Sequence, residues 1–359
     1  MAVHFYPLKI KDVNKETPDC VSVTFEVPED LQSDFDFKQG QSLTMRSTIN
    51  GEEVRRTYSI CSSPLEKEWK VAIKKVEGGL FSSFANLQLK KGDTLEVMQP
   101  VGKFYTTLHP EQRKNYIAFA AGSGITPVLS LIKTTLATEP GSSFTLLYGN
   151  RTRGSIIFFE ELEGLKNKYI DRFNLIHVLS RERTDAALNF GRIDIEKLQQ
   201  LEKLVDYEGA DEFFLCGPEI MIFAAKAFLE AKGIDKKKIH FELFTTPGQQ
   251  QVTAVSQKPV SAAGPKSRIT IKLDGRSFDF DLPLNSDTTL LDAALQQGAD
   301  LPYACKGGVC CTCKARLLEG EVAMDVHWGL EDEEVEQGYI LTCQSHPKTE
   351  KVTVDFDVK

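Results

Sequence analysis

The stretch YIAFAAGSGITPVLSLI, from Tyr116 to Ile132, decides the fold. Its first six residues are an apolar run of buried-strand length, Gly122 and Gly124 break the chain, and Pro127 opens a helical run to Ala137. The pattern continues downstream: FTLLYGN before FEELEGLKNKY, then FNLIHVLS, then FFLCG before Glu219 to Lys232. Strands alternating with helices predict a parallel sheet between Asn115 and about Phe244. A helix that starts behind Gly122 and Gly124 offers free N–H groups to a pyrophosphate. The third glycine of the usual dinucleotide fingerprint is absent, so a plain strand–helix turn is an equal reading of this segment alone.

The C-terminal edge of such a sheet is where ligands bind. FFLCGPEIM ends a strand there at Cys216, Gly217 and Pro218, setting a thiol and a permissive backbone at that edge; a structural turn with a buried thiol is the competing reading. YGNRT and HVLSRER end two more strands. Arg151, Ser180 and Arg181 can receive an adenosine ribose or its 2′-phosphate, since Arg presents a rigid fork matched to phosphate, although solvated loop arginines look the same in sequence.

Upstream, Val21 to Val27, Ser42 to Arg46, Thr57 to Ile60, Trp69 to Lys75 and Thr94 to Met98 read as short strands, an all-β barrel or sandwich. Arg56, Thr57, Tyr58 and Ser59 place a cation, an aromatic ring and hydroxyls on one strand, followed by KKVEGGLFSSF. That set can hold a cofactor phosphate and stack on a ring system, or be an ordinary strand with a surface arginine.

Downstream, TPGQQQVTAVSQKPVSAAGPKS has no acidic residue and no apolar periodicity and reads as a flexible linker. Beyond it, ITIKLDG and SFDFDLP predict a hairpin, TTLLDAALQQG a helix and VTVDFDV a last strand, a small α+β module. It holds Cys305, Cys310, Cys313 and Cys343, spaced C-x4-C-x2-C with a distant fourth, the plant-type ligand spacing for a [2Fe–2S] cluster. Lys306 to Val309 form a loop that can wrap anionic sulfur closely, because Gly307 and Gly308 carry no Cβ. A zinc site or a disulfide set are the alternatives. Cys311 reads as a loop residue beside the cluster, and Cys20 and Cys61 as small buried side chains.

A chain of 359 residues suits three domains: 1–107, 108–245 and 268–359, joined by the linker 246–267. No apolar run approaches the ~20 residues of a membrane span, no secretory leader is visible, and the cytoplasm is the expected location. The net charge of −8 is concentrated near one end: residues 266–359 carry 10 basic and 17 acidic groups, against 33 and 34 before them. Such acidity disfavours nucleic acid and suits a docking partner with a basic patch, or serves solubility alone.

The ordered segments Arg56-Thr57-Tyr58-Ser59, Gly78-Gly79-Leu80-Phe81-Ser82, Gly122 to Pro127, Cys216-Gly217-Pro218 and Glu242-Leu243-Phe244 resemble the ferredoxin–NADP reductase superfamily. The last domain resembles a plant-type ferredoxin, of the β-grasp kind. The order, ferredoxin last, is similar to the reductases of aromatic-ring and steroid oxygenases. The resemblance implies that Arg56, Thr57, Tyr58 and Ser59 hold FAD, with Gly78, Gly79 and Ser82 at its pyrophosphate. It implies that Gly122, Gly124, Thr126 and Pro127 bind NADPH, with Gly217 and Pro218 beside them. Ser59, Cys216 and Glu242 fall at the hydride-transfer site, and Phe244 where the family covers the flavin ring. NADPH delivers two electrons at once and the cluster accepts one, so a flavin must divide the pair on the way to an oxygenase component. The chain has no oxygenase signature of its own. A non-catalytic electron carrier on the same fold is the contrasting reading.

Overall fold

The computed structural model describes residues 4–244, 265–284 and 286–358. Most of the expected linker lies outside them, and its last residues, Lys266 and Ser267, already belong to a strand. Tyr6–Phe244 form one compact unit, and the stretch from Thr245 onward belongs to a second.

The first unit opens with six strands: β1 (Tyr6–Thr17), β2 (Cys20–Glu26), β3 (Ser42–Ile49), β4 (Glu52–Ser59), β5 (Trp69–Lys74) and β6 (Thr94–Val97). They pair antiparallel in the order β4-β3-β6-β1-β2-β5. A bridge between Ile60 and Val71 brings the end of β4 onto β5, so the two edges of the sheet meet and the barrel closes. Leu8, Ile10, Val23, Leu43, Met45, Val71, Ile73 and Val97 fill it. Strands β2, β3, β5 and β6 match sequence expectations to within a few residues, whereas β4 begins earlier than the expected Thr57, at Glu52. Helix α1 (Leu80–Leu87) is an addition to the all-β reading: GGLF starts it, and Phe81 and Ala85 turn into the barrel.

The parallel sheet follows, made of β7 (Asn115–Ala121), β8 (Ser143–Asn150), β9 (Phe173–Leu179), β10 (Glu212–Cys216) and β11 (Ile239–Glu242). Helices α2 (Ile125–Thr138), α3 (Phe159–Lys168), α4 (Ile195–Leu201) and α5 (Glu219–Ala231) alternate with them. The order β11-β10-β7-β8-β9 puts β7 and β10 side by side while their chains leave in opposite directions. This is the switch point of the sheet, the crevice where open α/β folds bind ligands. Tyr116 to Ala120 are buried throughout, as a central parallel strand requires.

The second unit carries β12 (Lys266–Leu273), β13 (Arg276–Pro283), α6 (Leu290–Gln296), β14 (Lys314–Glu319), β15 (Val322–Met324), α7 (Asp332–Glu336), β16 (Tyr339–Leu341), β17 (Ser345–Pro347) and β18 (Lys351–Asp355). Its main sheet runs β13-β12-β18-β14-β16, with β12 and β18 parallel and the other pairs antiparallel. Leu290, Leu291 and Ala294 of α6 pack into the core of Ile269, Ile271, Val352 and Val354. Among the described residues no helix is long and apolar enough to cross a membrane.

Candidate redox site

Alternation along β4 sorts the four residues of its R-x-Y-S segment. Arg56 and Tyr58 face one way, Thr57 and Ser59 the other. The neighbouring Arg55 is buried and paired with Glu53 at 2.8 Å, whereas Arg56 is exposed and, among the described residues, its guanidinium donates only to the Arg55 carbonyl, at 2.7 Å. Its guanidinium is thus available to an anion. The Tyr58 ring packs 5.7 Å from Phe81 of α1, so strand and helix start are joined by an aromatic contact. Gly78 takes φ +71°, Gly79 caps α1, and the Ser82 hydroxyl accepts the Val76 N–H at 3.1 Å. These contacts hold the first turn of α1 open to a phosphate, beside an arginine and a tyrosine face, which fits a flavin dinucleotide. Thr57 is turned away, its hydroxyl 2.9 Å from that of Thr44.

Ser59 reaches the nucleotide domain. Its hydroxyl donates to the Glu242 carboxylate at 3.1 Å, across 183 residues of sequence. Glu242 pairs in register with Cys216 on β10, and Cys216 with Ala120 on β7, so hydroxyl, carboxylate and thiol meet at the switch point. Burial pushes the Glu242 carboxyl up to about 7, against the pull of the Ser59 hydrogen bond. Burial, and then the Glu242 charge, hold the Cys216 thiol well above its usual range, so it stays neutral.

The two glycine turns interlock here. A Cβ on Gly124 would lie 2.0 Å from the Cys216 carbonyl oxygen and 2.8 Å from the Gly217 nitrogen. Only glycine lets the start of α2 press against the end of β10, leaving a shelf of bare backbone for a flat ring. Thr126 is buried and spends its hydroxyl on the Ser123 carbonyl at 3.0 Å, so its part is to shape the turn. Pro127 lies in the first turn of α2, where a missing N–H costs nothing. Pro218 precedes α5 as its cap.

Where β8 and β9 end, the Ser180 N–H donates to the Asn150 carbonyl at 2.9 Å and the Arg181 N–H to the Arg151 carbonyl at 2.8 Å. The three expected residues therefore share one corner, and both arginines are exposed. The acid next to them, Glu182, accepts the Arg153 N–H at 2.8 Å.

In the second unit the four expected thiols gather with Cys305 beside Cys310 and Cys313 beside Cys343, and among the described residues no three or more ligands are set around one ion. A two-iron cluster with four thiolates needs two such pairs, one for each iron. The neighbouring thiol draws each of Cys305 and Cys343 below the usual thiol range, while Cys310 and Cys313 rise. Backbone N–H groups of Gly307, Val309 and Cys310 turn toward Cys305, and that of Gly308 toward Cys343. To aim them, the loop takes positive φ at Lys306 (+52°), Gly308 (+74°) and Cys311 (+54°). A Cβ on Gly308 would stand 2.8 Å from Val326. The donor set fits an anionic iron–sulfur cluster. Cys311 faces away and donates to the Gly329 carbonyl, and Cys20 and Cys61 are buried, as expected.

Three family profiles match in this order: an oxidoreductase FAD-binding domain over residues 7–105, an oxidoreductase NAD-binding domain over 119–227, and a 2Fe-2S iron-sulfur cluster binding domain over 271–348. One subunit of the 1,2-phenylacetyl-CoA epoxidase of Escherichia coli (strain K12) is 48% identical, covering 99% of this chain and 98% of that protein. The ferredoxin reductase component of 3-ketosteroid-9-alpha-monooxygenase of Rhodococcus rhodochrous is 33% identical, over 97% and 96%. This chain belongs to the ferredoxin–NADP reductase superfamily, in the branch that ends in a 2Fe–2S domain. The solved phthalate dioxygenase reductase shares its fold, with 98% of each chain covered, a TM-score of 0.59 and 24% identity. The reductase is thus an oxidoreductase with sites for FAD, a nicotinamide dinucleotide and a [2Fe–2S] cluster.

Three residues of the reductase's sites escape the motifs. Tyr148 on β8 donates from its buried hydroxyl to the Gly122 carbonyl at 3.0 Å, fixing the turn. A tyrosine inside FTLLYGN is the signal for it, because a buried phenol needs an acceptor. Lys74 at the end of β5 brings its ammonium to 3.8 Å from where a Gly122 Cβ would stand, and nothing local in KKVEGG marks it. Gln344, next to Cys343, donates to the Lys306 carbonyl at 2.9 Å and clamps the cluster loop.

Proposed function

We propose that this reductase takes electrons from NADPH and passes them through FAD and [2Fe–2S] to the oxygenase component of a multicomponent enzyme, the phenylacetyl-CoA epoxidase of phenylacetate degradation. The observation that carries the reading is the coincidence, on one chain, of the Ser59–Glu242–Cys216 meeting point with the paired thiols of the second unit. The 48% identity along nearly the whole length supports this acceptor, and the 33% relative favours a steroid oxygenase as the second reading. When bound, FAD converts a hydride into single electrons and the cluster carries them one at a time.

The chain's own residues do the rest. Arg56 and the first turn of α1 hold the flavin pyrophosphate, with Gly78, Gly79 and Ser82 shaping that turn, and Tyr58 and Phe81 pack beside the ring. Phe244, 40% exposed at the end of the unit, covers its other side. Gly122, Gly124 and Gly217 leave room for the nicotinamide, and Ser59, Cys216 and Glu242 surround the reacting atoms. Ser180, Arg151 and Arg181 take the 2′-phosphate, with Glu182 engaged by the Arg153 N–H and so withdrawn from the ribose. The reductase works in the cytoplasm, where the thiols outside the cluster, Cys20, Cys61, Cys216 and Cys311, stay reduced.

Two measurements test this. Purified reductase mixed with the epoxidase or steroid oxygenase components should consume NADPH in a substrate-dependent way with the first only; no coupling to either removes the acceptor assignment. Charge-assisted bonds contribute roughly 1.5–3 kcal/mol, so Arg181→Ala should cut kcat/KM for NADPH about ten- to a hundredfold while sparing NADH. An equal effect on both nucleotides overturns the NADPH assignment.

A further inference from the structure

Helix α2 is buried on nearly all sides, yet its sequence ITPVLSLIKTTLAT carries a polar stripe at Ser130, Lys133 and Thr134. Spacing of i, i+3 and i+4 puts these three on one face. That face meets the turn 62–66, which leaves the flavin strand three residues after Ser59. The Ser130 hydroxyl donates to the Ser62 carbonyl at 2.6 Å. The Thr134 hydroxyl donates to the Ser130 carbonyl at 2.6 Å, so the Ser63 hydroxyl, 2.9 Å away, must donate to Thr134. Lys133 spans Glu66 at 2.7 Å and Glu161 at 2.6 Å. Ser62, Ser63, Ser130 and Thr134 are all buried.

We infer that Ser130, Lys133 and Thr134 form, with the turn 62–66, a positioning seam that sets the nicotinamide shelf at the start of α2 against the flavin strand. The inference rests on the proposed hydride chemistry and assigns residues to it that touch neither cofactor. An apolar seam of the same size would bury more hydrophobic surface, but apolar contacts tolerate sliding. Directional bonds between buried groups hold one register, because any slip leaves a desolvated hydroxyl or carbonyl unpaired. Both ends of the seam continue directly into the site: back from Ser62 to Ser59, and back from Ser130 to Gly124. Displacement of the reacting atoms by about 1 Å can cost a hundredfold in rate, so a device that fixes this register acts on hydride transfer and not on binding.

The test is the double variant Ser130→Ala/Thr134→Val in the FAD-loaded protein. We expect unchanged flavin content and nucleotide Kd, and a rate of flavin reduction at saturating nucleotide lower by about tenfold or more in single-turnover stopped flow. Amide exchange over residues 62–66 and 125–138, measured on flavin-free protein, should quicken. Thr134→Ser, which keeps the hydroxyl, should behave as wild type. An unchanged reduction rate, a loss explained by weaker FAD or nucleotide binding, or the same loss in Thr134→Ser overturns the inference. Should the double variant fail to fold, Lys133→Met against Lys133→Arg asks the same question, and equal rates for those two overturn it. Wild-type protein unable to reduce its own FAD overturns the functional reading and the seam together.

Discussion

The thiol-bearing loop of the second unit and the proposed hydride-transfer site are built on opposite plans. Three of the four cluster thiols lie within Cys305 to Cys313, on a loop bent by its own dihedral angles so that its own amides face the sulfurs. The proposed hydride site takes Ser59 from a barrel strand, Cys216 and Glu242 from neighbouring strands of the sheet, and its floor from Gly124 against β10. A local site survives as long as its loop does. A distributed one depends on the packing of every element that contributes, so it is exposed to changes far from the chemistry.

Two substitutions probe that contrast most strongly. Cys310→Ala should abolish the iron–sulfur absorbance altogether while FAD binding and its reduction by nucleotide persist, because the first unit contributes no ligand. A retained cluster spectrum would show the ligand set to be wrong, and lost flavin reduction would show the two sites to be less separate than their construction implies. Gly124→Ala should do the reverse. Its Cβ meets backbone atoms of Cys216 and Gly217, which no side-chain rotation relieves, and overpacking of this kind costs about 1–3 kcal/mol. Thermal unfolding of the first unit should fall and nucleotide affinity drop by about tenfold or more, with the cluster spectrum intact. Unchanged nucleotide binding would refute the close-approach argument.

The same contrast governs how much could be read in advance. The cysteine spacing points to the four thiols that the fold gathers, because coordination imposes a short-range rule on the chain. The parallel sheet is equally plain, since YIAFAA and FFLCG are apolar without alternation. The meeting of Ser59 with Glu242 is invisible to any local rule, and only the ordered family segments point to it. Helix α1 is missed because LFSSFANL follows a glycine pair inside a run of strands. Tyr148, Lys74 and the seam on α2 are missed for another reason: each is a single polar group whose partner lies in a distant segment.

Arg56→Ala bears on the flavin half of the distributed site. It removes one charge-assisted contact, worth roughly 1.5–3 kcal/mol, so flavin should dissociate about ten- to a hundredfold more readily on dialysis. Arg55→Ala removes a buried guanidinium paired with Glu53 and should lower stability first. Should flavin retention be untouched in Arg56→Ala, the phosphate would have to lie elsewhere along α1.

The smallest effect on function belongs to Glu242 and is one of pH. In the unfolded chain its carboxyl titrates at the ordinary 4.5, and in the folded protein burial moves it to about 7. Between these values the folded state holds a proton that the unfolded state has lost. Stability from this group is therefore fully present below 4.5, declines as pH rises through the window, and is flat above 7. Glu242→Gln removes the titration, so its melting temperature should gain on wild type as pH is raised across that interval. Flavin reduction at saturating nucleotide should likewise show an inflection near 7 in wild type, a few-fold in size, and none in the variant. The two readouts separate two roles: an inflection in rate together with the stability trend places the proton at the reacting atoms, whereas a stability trend with a flat rate profile leaves Glu242 as a half-buried strut between β11 and Ser59. A distributed site predicts the first outcome, because there the group that joins the domains is also the one that faces the chemistry.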